Sequence, residues 1–519
     1  MRYLALACDY DRTLAWDGQV SSDTYVALQA LLASGRKLIL VTGRELEDLF
    51  SVFPRCNLFE WVVAENGVVL YHPATREKKR LASPPPAKFI ARLKERGVPL
   101  SVGDAIVSTH HPHESTVLDT IRELGLELQV IFNKGAVMVL PSGISKASGL
   151  AAALKEMGLS PHNLVAVGDA ENDHALLALC ECSVAVANAL PTLQEEADFV
   201  TSAANGAGVT ELISEIIASD LRERETTLTR HHLLLGTADD GRQIRISPFA
   251  SNILLAGSSD MERRNVATAF IETLCQRRYQ FCLIDPRGAY EELPGAIVLG
   301  RHKRAPGVDE VIRLLKDPVE NAIVNLIGVS TRQQSAFIQE LFARLQQLRV
   351  RTGHPHWIVV DEAQDVLSRS WQPAPLDIPQ QLEGIMCITA DPGAVARSML
   401  SRVNTALALG PAGAAAFTQL ARLLQDGMLK SGAIPINAGE AILWLRDADA
   451  PFKLKLALGK NPKHSSPSGS LHDVAARLTC SLLAWVAAAV HLVPMLLPPQ
   501  SFWQHMVCDY PCRRLSSHS

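Results

Sequence analysis

Short apolar runs alternate with amphipathic stretches along the first 215 residues of the chain. Residues 22–34 place apolar side chains at helical spacing and end at Gly35. The apolar runs are too short for periodicity alone to separate strand from helix, but their length favours strands buried on both faces of a parallel sheet. The pattern therefore predicts an α/β fold. Its strands are expected at residues 4–8, 37–41, 61–64 and 164–167.

Polar side chains follow three of these predicted strands. Asp9 and Asp11 follow the first, and alternation along a strand points two such carboxylates to the same side. Open α/β sheets bind ligands beyond the carboxyl ends of their strands. Two like charges so close make sense beside a cation or a transferred proton. On this pair alone, a solvated turn at the strand end remains the alternative.

The next strand ends in Thr42-Gly43, and Lys146 opens a later helix. A hydroxyl and backbone amides at a helix start can bind phosphate, although Thr42 as an ordinary helix cap is equally consistent with the sequence. Asp169, Asn172 and Asp173 follow the strand at 164–167. Carboxylate oxygens in this number suit Mg²⁺, which completes its shell with water and phosphate.

Four segments together resemble the motifs of the haloacid dehalogenase (HAD) superfamily in order and spacing. They are CDYDRTL (8–14), LVTGR (40–44), GISKASGL (143–150) and VGDAENDHALL (167–177). The resemblance covers residues 1–215 and implies a Rossmann-like HAD core. Pro84-Pro85-Pro86 marks a boundary, and the α/β module from about 84 to 140 resembles the cap of the Cof-type, sugar-phosphatase-like IIB branch.

The resemblance implies a role for each motif residue. Asp9 would be the nucleophile that forms an aspartyl-phosphate, and Asp11 the general acid and then base. The other roles carried over are phosphate binding by Thr42, Gly43 and Lys146, and Mg²⁺ binding by Asp9, Asp11, Asp169 and Asp173. Asn172 either orients the metal carboxylates, which is the favoured interpretation, or caps the following helix. Arg12 stands where the family often has glycine, which affects the mouth of the pocket.

Composition narrows the class of protein. The 519 residues predict two to four domains, and 47% hydrophobic content indicates globular domains with sizeable cores. A net charge of −4 argues against nucleic-acid binding over the whole chain but leaves a local binding patch open, so the sequence indicates no clear nucleic-acid partner. The ten cysteines lack paired metal-ligand spacing, which predicts free thiols in a reducing, cytoplasmic compartment. The apolar run at the start ends in two aspartates, so no signal peptide is expected.

Several residues in this half have more than one interpretation. His110, His111 and His113 lie close together in the predicted cap and suggest a metal, but polar loop residues that at most touch substrate are the favoured interpretation. Asn188 follows a strand-like stretch and is a candidate for support of the metal loop.

The second half repeats the alternation of strands and helices. A hairpin is predicted at 231–247 and a helix at 261–274, with strands at 253–256, 281–284, 322–326, 357–360 and 388–391. The strand at 357–360 ends in Asp361-Glu362. Over residues 231–458 this order resembles a HerA-like P-loop ATPase, a parallel α/β domain in which such an Asp-Glu pair holds Mg²⁺ and primes water.

This second resemblance fails at the phosphate loop. Residues 257–264, GSSDMERR, retain only Gly257 of the pattern G-x-x-x-x-G-K-[ST], and Arg263 stands at the lysine position. The carboxylates of Asp260 and Glu262 would face a triphosphate, and a left-handed backbone would strain both residues. We therefore predict a degenerate nucleotide site at Gly257, Arg263, Asp361 and Glu362, at which ATP binding is doubtful. Assembly of copies of the chain through this domain remains open.

The tail from residue 459 has no recognised pattern. Residues 478–497 carry no formal charge and are long enough to span a bilayer, which takes about 20 residues. Polar residues dilute the segment, so a buried or poorly ordered helix is favoured over a membrane anchor.

The sequence thus predicts a HAD domain at 1–220, a degenerate HerA-like domain at 231–458 and a tail at 459–519. The leading function is Mg²⁺-dependent hydrolysis of a small phosphorylated metabolite, with a sugar phosphate favoured. The alternatives are a nucleotide-binding regulatory protein whose HAD half is secondary, and a non-catalytic scaffold.

Overall fold

A computed structural model describes residues 1–133, 135–369, 371, 383–410, 434–448 and 450–457. Residues 1–459 form one compact unit that contains three sheets, which we call the core sheet, the cap sheet and the large sheet. The predicted tail and its apolar segment at 478–497 lie outside the described residues. The division into domains at 220 and 231 stays a prediction.

The core sheet has eight strands in the order β12-β11-β10-β1-β2-β3-β4-β5. The strands of the first half are β1 (Ala5–Asp9), β2 (Lys37–Val41), β3 (Trp61–Ala64), β4 (Val69–His72), β5 (Glu77–Arg80), β6 (Ser101–Val102), β7 (Val107–His110), β8 (Leu128–Asn133), β9 (Ala136–Pro141), β10 (Leu164–Gly168), β11 (Cys182–Ala185) and β12 (Phe199–Val200). The four strands expected from the apolar runs are confirmed. They pair in parallel at the centre, where burial on both faces requires continuous apolar sequence.

Helices cover the core sheet and pack on the cap sheet. The helices of the first half are α1 (Ser22–Ala33), α2 (Leu46–Val52), α3 (Ala87–Glu95), α4 (Glu114–Glu123), α5 (Lys146–Met157), α6 (His174–Leu179), α7 (Pro191–Glu196) and α8 (Asn205–Ser219). The predicted helix at 22–34 is confirmed, and the Ser21 side chain caps it by accepting a hydrogen bond from the Thr24 amide.

The cap sheet has the order β6-β7-β9-β8, and helices α3 and α4 pack against each other beside it. Phe89, Val117 and Val139 belong to a separate apolar core of this module. The cap predicted at 84–140 is therefore a distinct small α/β layer. Strand β6 has only two residues, so the pattern of apolar residues in the sequence could not predict it.

The second half contains the large sheet of eleven strands, in the order β14-β13-β23-β22-β21-β15-β20-β19-β16-β18-β17. They are β13 (Leu233–Ala238), β14 (Gln243–Ile246), β15 (Asn252–Gly257), β16 (Phe281–Asp285), β17 (Ile297–Leu299), β18 (Ala322–Asn325), β19 (Trp357–Val360), β20 (Ile385–Thr389), β21 (Thr405–Leu409), β22 (Glu440–Leu445) and β23 (Phe452–Leu456). The helices are α9 (Asp260–Gln276), α10 (Val308–Leu314), α11 (Thr331–Thr352), α12 (Ala363–Val366) and α13 (Arg397–Leu400). The predicted hairpin and the helix after residue 257 are confirmed.

Two predicted elements have different boundaries in the structure. The strand expected at 388–391 is β20, which begins at Ile385 and ends at Thr389. Asp260 and Glu262 lie in the first turn of α9 and not in a strained loop, because Ser259 caps the helix by accepting a hydrogen bond from the Glu262 amide. The expected backbone strain at these two residues is therefore wrong.

A cluster of aromatic and histidine side chains joins the two halves. The His162 ring stacks on the Tyr279 ring with 3.8 Å between their centroids. The Glu181 carboxylate accepts hydrogen bonds from His162 and from the Tyr279 hydroxyl, and it forms an ion pair with Arg2. We call these residues, with His354 and His356, the junction.

No helix in the described ranges is both long and apolar enough to cross a membrane. The cysteines that the structure describes have free thiols, as the sequence predicts.

Candidate active site

Three neighbouring strands bring the predicted site residues to one edge of the core sheet. β1 pairs with β2 on one side and with β10 on the other, in register and in parallel. Asp9 ends β1, Thr42 follows β2 and Asp169 follows β10. The edge therefore assembles residues that are up to 160 positions apart in the chain, as their place after apolar strands predicts.

Lys146 is the cation at the centre of the site. Its Nζ lies 2.6 Å from Oδ1 of Asp9 and 2.7 Å from Oδ1 of Asp173, and its side chain is only 2% exposed. Lys146 is the first residue of α5, which Ser145 and Ser148 begin with a reciprocal capping box. The helix start thus fixes the position of the ammonium group.

Two glycines let α5 approach the turn after β3. A Cβ on Gly149 would lie 2.5 Å from Cα of Gly67, and a Cβ on Gly67 would lie 2.0 Å from the Ser145 carbonyl oxygen. Gly67 also has a φ of +105°, which side chains disfavour. This close contact holds the start of α5, and therefore Lys146, against the core sheet.

Asp9, Asp169 and Asp173 form a buried acidic cluster. One carboxylate oxygen from each lies within 4.8 Å of the others. The Oδ2 atom of Asp173 accepts hydrogen bonds from the Asp169 and Ala170 amides, both at 3.0 Å, and the Thr13 hydroxyl donates to Asp169. The cations beside these three buried carboxylates are Lys146 and, 4.0 Å from Asp169 and half-exposed, Arg12. The carboxylates still outnumber the buried cation, so the donor set fits a hard divalent cation such as Mg²⁺.

The same burial controls the protonation of Asp9. Burial, with the charge of Asp173 beside it, raises the pKa of Asp9 to about 8, whereas Lys146 acts in the opposite direction. An added divalent cation would favour the ionised carboxylate. The ionised form is the one that can act as a nucleophile.

Asp11 is not brought into this cluster. Its carboxylate binds the Arg44 guanidinium at two points, with Nε to Oδ2 at 2.8 Å and Nη2 to Oδ1 at 2.7 Å. Arg44 also pairs with Asp48 at 2.6 Å. Sequence reasoning did not assign a role to Arg44, although its place directly after Thr42-Gly43 was a signal. The metal role of Asp11 stays a prediction.

Thr42 is fully buried, and its hydroxyl accepts a hydrogen bond from the Arg44 amide at 3.1 Å. Helix α2 begins at Leu46 with Glu45 before it, so Thr42 is not a helix cap and that alternative is wrong. A Cβ on Gly43 would lie 3.2 Å from the Asn66 side chain, which shows how closely that amide approaches the loop.

Polar side chains outside the cluster hold the surrounding loops. Asn172 donates to Oδ1 of Asn66 at 2.8 Å, and Asn188 donates to the Arg12 carbonyl at 2.8 Å. Glu65 ties the core to the cap module by accepting the amides of Asp104, Ala105 and Ile106. Sequence reasoning missed Asn66 and Glu65, whose only signal was the Glu-Asn-Gly turn after β3.

Two other groups of possible metal ligands have contacts that explain their positions without a metal. The junction residues His162 and Glu181, with His231, lie close enough to hold a metal, but Arg2 already neutralises Glu181 and His162 is hydrogen-bonded at both ring nitrogens. The cap histidines 110, 111 and 113 are not among the metal-binding groupings found in the described ranges. His111 instead pairs with Glu114 at 3.0 Å.

The four residues predicted for a degenerate nucleotide site also lie together, at the large sheet. Arg263 is 3% exposed and lies 3.1 Å from Glu362, while its Nη1 donates to the Gly257 carbonyl at 2.6 Å. Burial and the neighbouring Glu362 raise the pKa of Asp361 to about 7. The guanidinium therefore fills the space between the ends of β15 and β19.

The comparisons with known proteins concern the first half of the chain. The family model described as haloacid dehalogenase-like hydrolase matches residues 6–117 and 118–213. Phosphoglycolate phosphatase 2 of Saccharolobus solfataricus is 29% identical over 223 residues, which are 42% of this chain and 94% of that protein. The phosphoglycolate phosphatase of Methanothermobacter thermautotrophicus is 31% identical over 216 residues, which are 40% of this chain and 96% of that protein.

Among solved structures, a haloacid dehalogenase-like hydrolase from Bacteroides thetaiotaomicron covers 41% of this chain and 99% of its own, at 19% identity and a TM-score of 0.37. The sequence matches confirm the HAD part of the prediction and the enzyme class, a phosphoric monoester hydrolase. The HerA-like part stays a prediction. Through its first 215 or so residues, this chain belongs to the haloacid dehalogenase-like hydrolase family.

Proposed function

We propose that the first half of the chain is a Mg²⁺-dependent phosphatase that hydrolyses a small phosphomonoester through an aspartyl-phosphate on Asp9. The observation that carries the proposal is the buried arrangement of Lys146 between Asp9 and Asp173, beside Asp169. It combines a carboxylate nucleophile, a fixed cation and an excess of carboxylate ligands at the end of one sheet.

In the proposed mechanism, the Asp11 carboxyl is first released from Arg44, which holds it in this structure. An Asp9 oxygen then attacks phosphorus, and the ester oxygen leaves as the alcohol with a proton from Asp11. Asp11 then takes a proton from water, whose oxygen attacks the aspartyl-phosphate and releases inorganic phosphate and free Asp9. Asp9, Asp169 and Asp173 would hold Mg²⁺, which supplies charge neutralisation at the phosphoryl oxygens. Lys146, Thr42 and the Gly43 amide would hold those oxygens in position.

For the substrate, the sequence favoured a sugar phosphate, and the relatives named phosphoglycolate phosphatases favour a phosphorylated two-carbon acid. Both are small monoesters that the cap would close over and select. We infer that phosphoglycolate is the first substrate to test, with sugar phosphates as the second group.

The test is release of inorganic phosphate by the purified full chain from phosphoglycolate, a panel of sugar phosphates and p-nitrophenyl phosphate, with and without Mg²⁺. We expect turnover that EDTA abolishes and that Asp9→Asn reduces to background, since the amide keeps the shape but is not a nucleophile. Asp23→Asn, an exposed aspartate at the start of α1, is the matched control and keeps full activity. An Asp9→Asn protein as active as the wild type contradicts the mechanism.

For the second half we propose a P-loop-like domain that has lost nucleotide hydrolysis. Two observations support this: β15, β20, β19 and β16 are parallel neighbours, and Gly257 at the end of β15 and Glu362 after β19 both contact the Arg263 guanidinium. The Arg263–Glu362 ion pair takes the place where a triphosphate and its metal would bind. In an ATPase assay of the full chain, we expect only background ATP turnover, equal in the wild type and in Glu362→Gln. Turnover above background that is lost in Glu362→Gln would contradict this view.

A further inference from the structure

Three helices from the two halves end at a common cleft of about 810 Å³. The carboxyl end of α5 contributes Lys155, and the region just after α10 contributes Lys316. The last three turns of α11 contribute Arg344 and Arg351. The cleft lies at the carboxyl end of α5, whereas Lys146 is the first residue of that helix, nine positions and about 13 Å of helix length before Lys155.

The cleft is lined by five cationic side chains and only two acidic ones. The cations are Lys155, Arg313, Lys316, Arg344 and Arg351, and the acids are Glu156 and Asp309. Both acids already have partners, because Asp309 lies 2.8 Å from Arg344 and Glu156 lies 3.1 Å from Lys79. Among the residues that the structure describes, the other four cations of the cleft form no ion pair.

The simplest alternative explanation is that these cations only neutralise the partial negative charge of the helix carboxyl ends. A helix carboxyl end carries about half a negative charge, so three ends account for about one and a half charges. The side chains of the cleft exceed this, and the excess is concentrated in a concave site on a chain whose net charge is −4. A cleft lined by one sign of charge focuses the field and attracts ions of the opposite sign.

We propose that this cleft is a binding site for a small ligand that carries a chain of consecutive phosphates, and that the ligand bridges α5 to α10 and α11. Arginine and lysine side chains are the usual protein ligands of phosphate. The volume falls in the range of small-molecule sites, about 300–1,000 Å³, and not of an extended nucleic-acid groove. The negative charge of a triphosphate group, free or attached to a nucleoside, matches the positive charge of the four unpaired cations of the cleft.

The test uses full-length Asp9→Asn protein, which keeps the probe from being hydrolysed at the phosphatase site. Sodium tripolyphosphate and ATP are titrated in separate calorimetric experiments, at low and at high salt. We expect saturable binding that weakens at least tenfold in Lys316→Glu/Arg351→Glu, and that weakens as salt is raised. Equal affinities for the two probes would mean that the cleft recognises the phosphate chain alone. Tighter binding of ATP would mean that the cleft also recognises the nucleoside.

The matched control is Lys88→Glu/Lys94→Glu, which reverses two exposed lysines of α3 in the cap module. It should bind both probes within twofold of the parent protein, and unchanged thermal unfolding of both double variants shows that the fold is intact. Binding that survives the cleft double variant overturns the proposal, since the phosphates then bind elsewhere. A single-stranded oligonucleotide that binds the cleft more tightly than ATP also overturns it.

Discussion

Lys146 is the buried cation between two carboxylates of the phosphatase site. It offsets the charges of Asp9 and Asp173, which would otherwise repel each other in a buried space. It also lies where charge develops on a transferring phosphoryl group.

We expect Lys146→Gln to lower kcat for p-nitrophenyl phosphate by about 10²–10³, the effect of removing one preorganised charge-stabilising donor. Lys94→Gln, which neutralises an exposed lysine of α3 outside both proposed sites, is the control and leaves kcat unchanged. Equal losses in the two variants would mean that the loss does not depend on the Lys146 ammonium.

Arg263 forms a buried structural contact at the predicted degenerate nucleotide site. Its buried guanidinium pairs with Glu362, which Arg287 also approaches at 3.2 Å from a more exposed position. Removing one partner of a buried pair leaves an uncompensated charge, whereas replacing both partners can be nearly neutral.

We therefore expect Arg263→Met to lower the free energy of unfolding by about 3 kcal/mol. The double variant Arg263→Met/Glu362→Gln should recover most of that loss, because no buried charge is left unpaired. Thermal unfolding of the three proteins provides the measurement. If the double variant is as unstable as the single one, packing of the Arg263 side chain matters more than its charge.

At the scale of elements, the contact between α5 and the turn after β3 links the fold to the chemistry. Gly149 lies on the face of α5 that meets Gly67, and a Cβ there would lie 2.4 Å from a Val63 methyl carbon as well. Neither neighbour can move without shifting β3 or its turn.

We expect Gly149→Ala to push α5 outward, to cost about 1–3 kcal/mol of stability and to lower kcat, because Lys146 moves with the helix. Gly307→Ala is the matched control, since a Cβ at that position makes only ordinary contacts of 3.8 Å or more. Thermal unfolding and phosphate release are measured on both. A Gly149→Ala enzyme with wild-type kcat would show that Lys146 does not depend on this contact.

At the scale of the whole molecule, the junction makes stability depend on pH. His356 is fully buried, and its Nδ1 accepts a hydrogen bond from the Gln280 amide, so the ring is held neutral with its proton on Nε2 facing Asn163. Burial, with His162, His354 and Arg349 nearby, lowers the pKa of His356 well below 6.5. Burial also lowers the pKa of His354 to about 4, although Asp317 acts in the opposite direction.

Because these folded-state pKa values are lower than the unfolded ones, the unfolded chain binds more protons below pH 6.5. Each histidine therefore contributes stability that is fully present above about pH 6.5 and decreases as pH falls, by about 1.4 kcal/mol per pH unit. The raised pKa values of Asp9 and Asp361, about 8 and about 7, act in the opposite direction over the same range, because through them the folded chain binds more protons than the unfolded one. We therefore expect the histidine effect between pH 7 and pH 5 as a difference between the wild type and a variant that lacks one of these histidines, in a window above the range in which Glu181, whose paired carboxyl has a pKa of about 2, contributes.

The variant that checks this assignment is His356→Asn, whose side-chain oxygen can still accept the Gln280 amide. Its unfolding midpoint should rise relative to that of the wild type as pH falls from 7 to 5, whatever its stability at pH 7. A variant with the same pH dependence as the wild type would exclude His356 as a source of the effect.

Local sequence by itself determined the central strands and the residues at their ends. Continuous apolar runs such as that before Asp9 favour strands buried on both faces, and Asp9, Thr42 and Asp169 were therefore expected to meet at one edge of the sheet, as they do. Four motifs in register also identified the family.

Only the tertiary structure decided which charges pair. Arg44 binds the Asp11 carboxylate outside the acidic cluster, and Arg263 pairs with Glu362. The junction and the cationic cleft join residues more than 100 positions apart, such as His162 with Tyr279 and Lys155 with Arg351. Periodicity and capping act over a few residues, whereas these contacts depend on how sheets and helices pack, which no local pattern encodes.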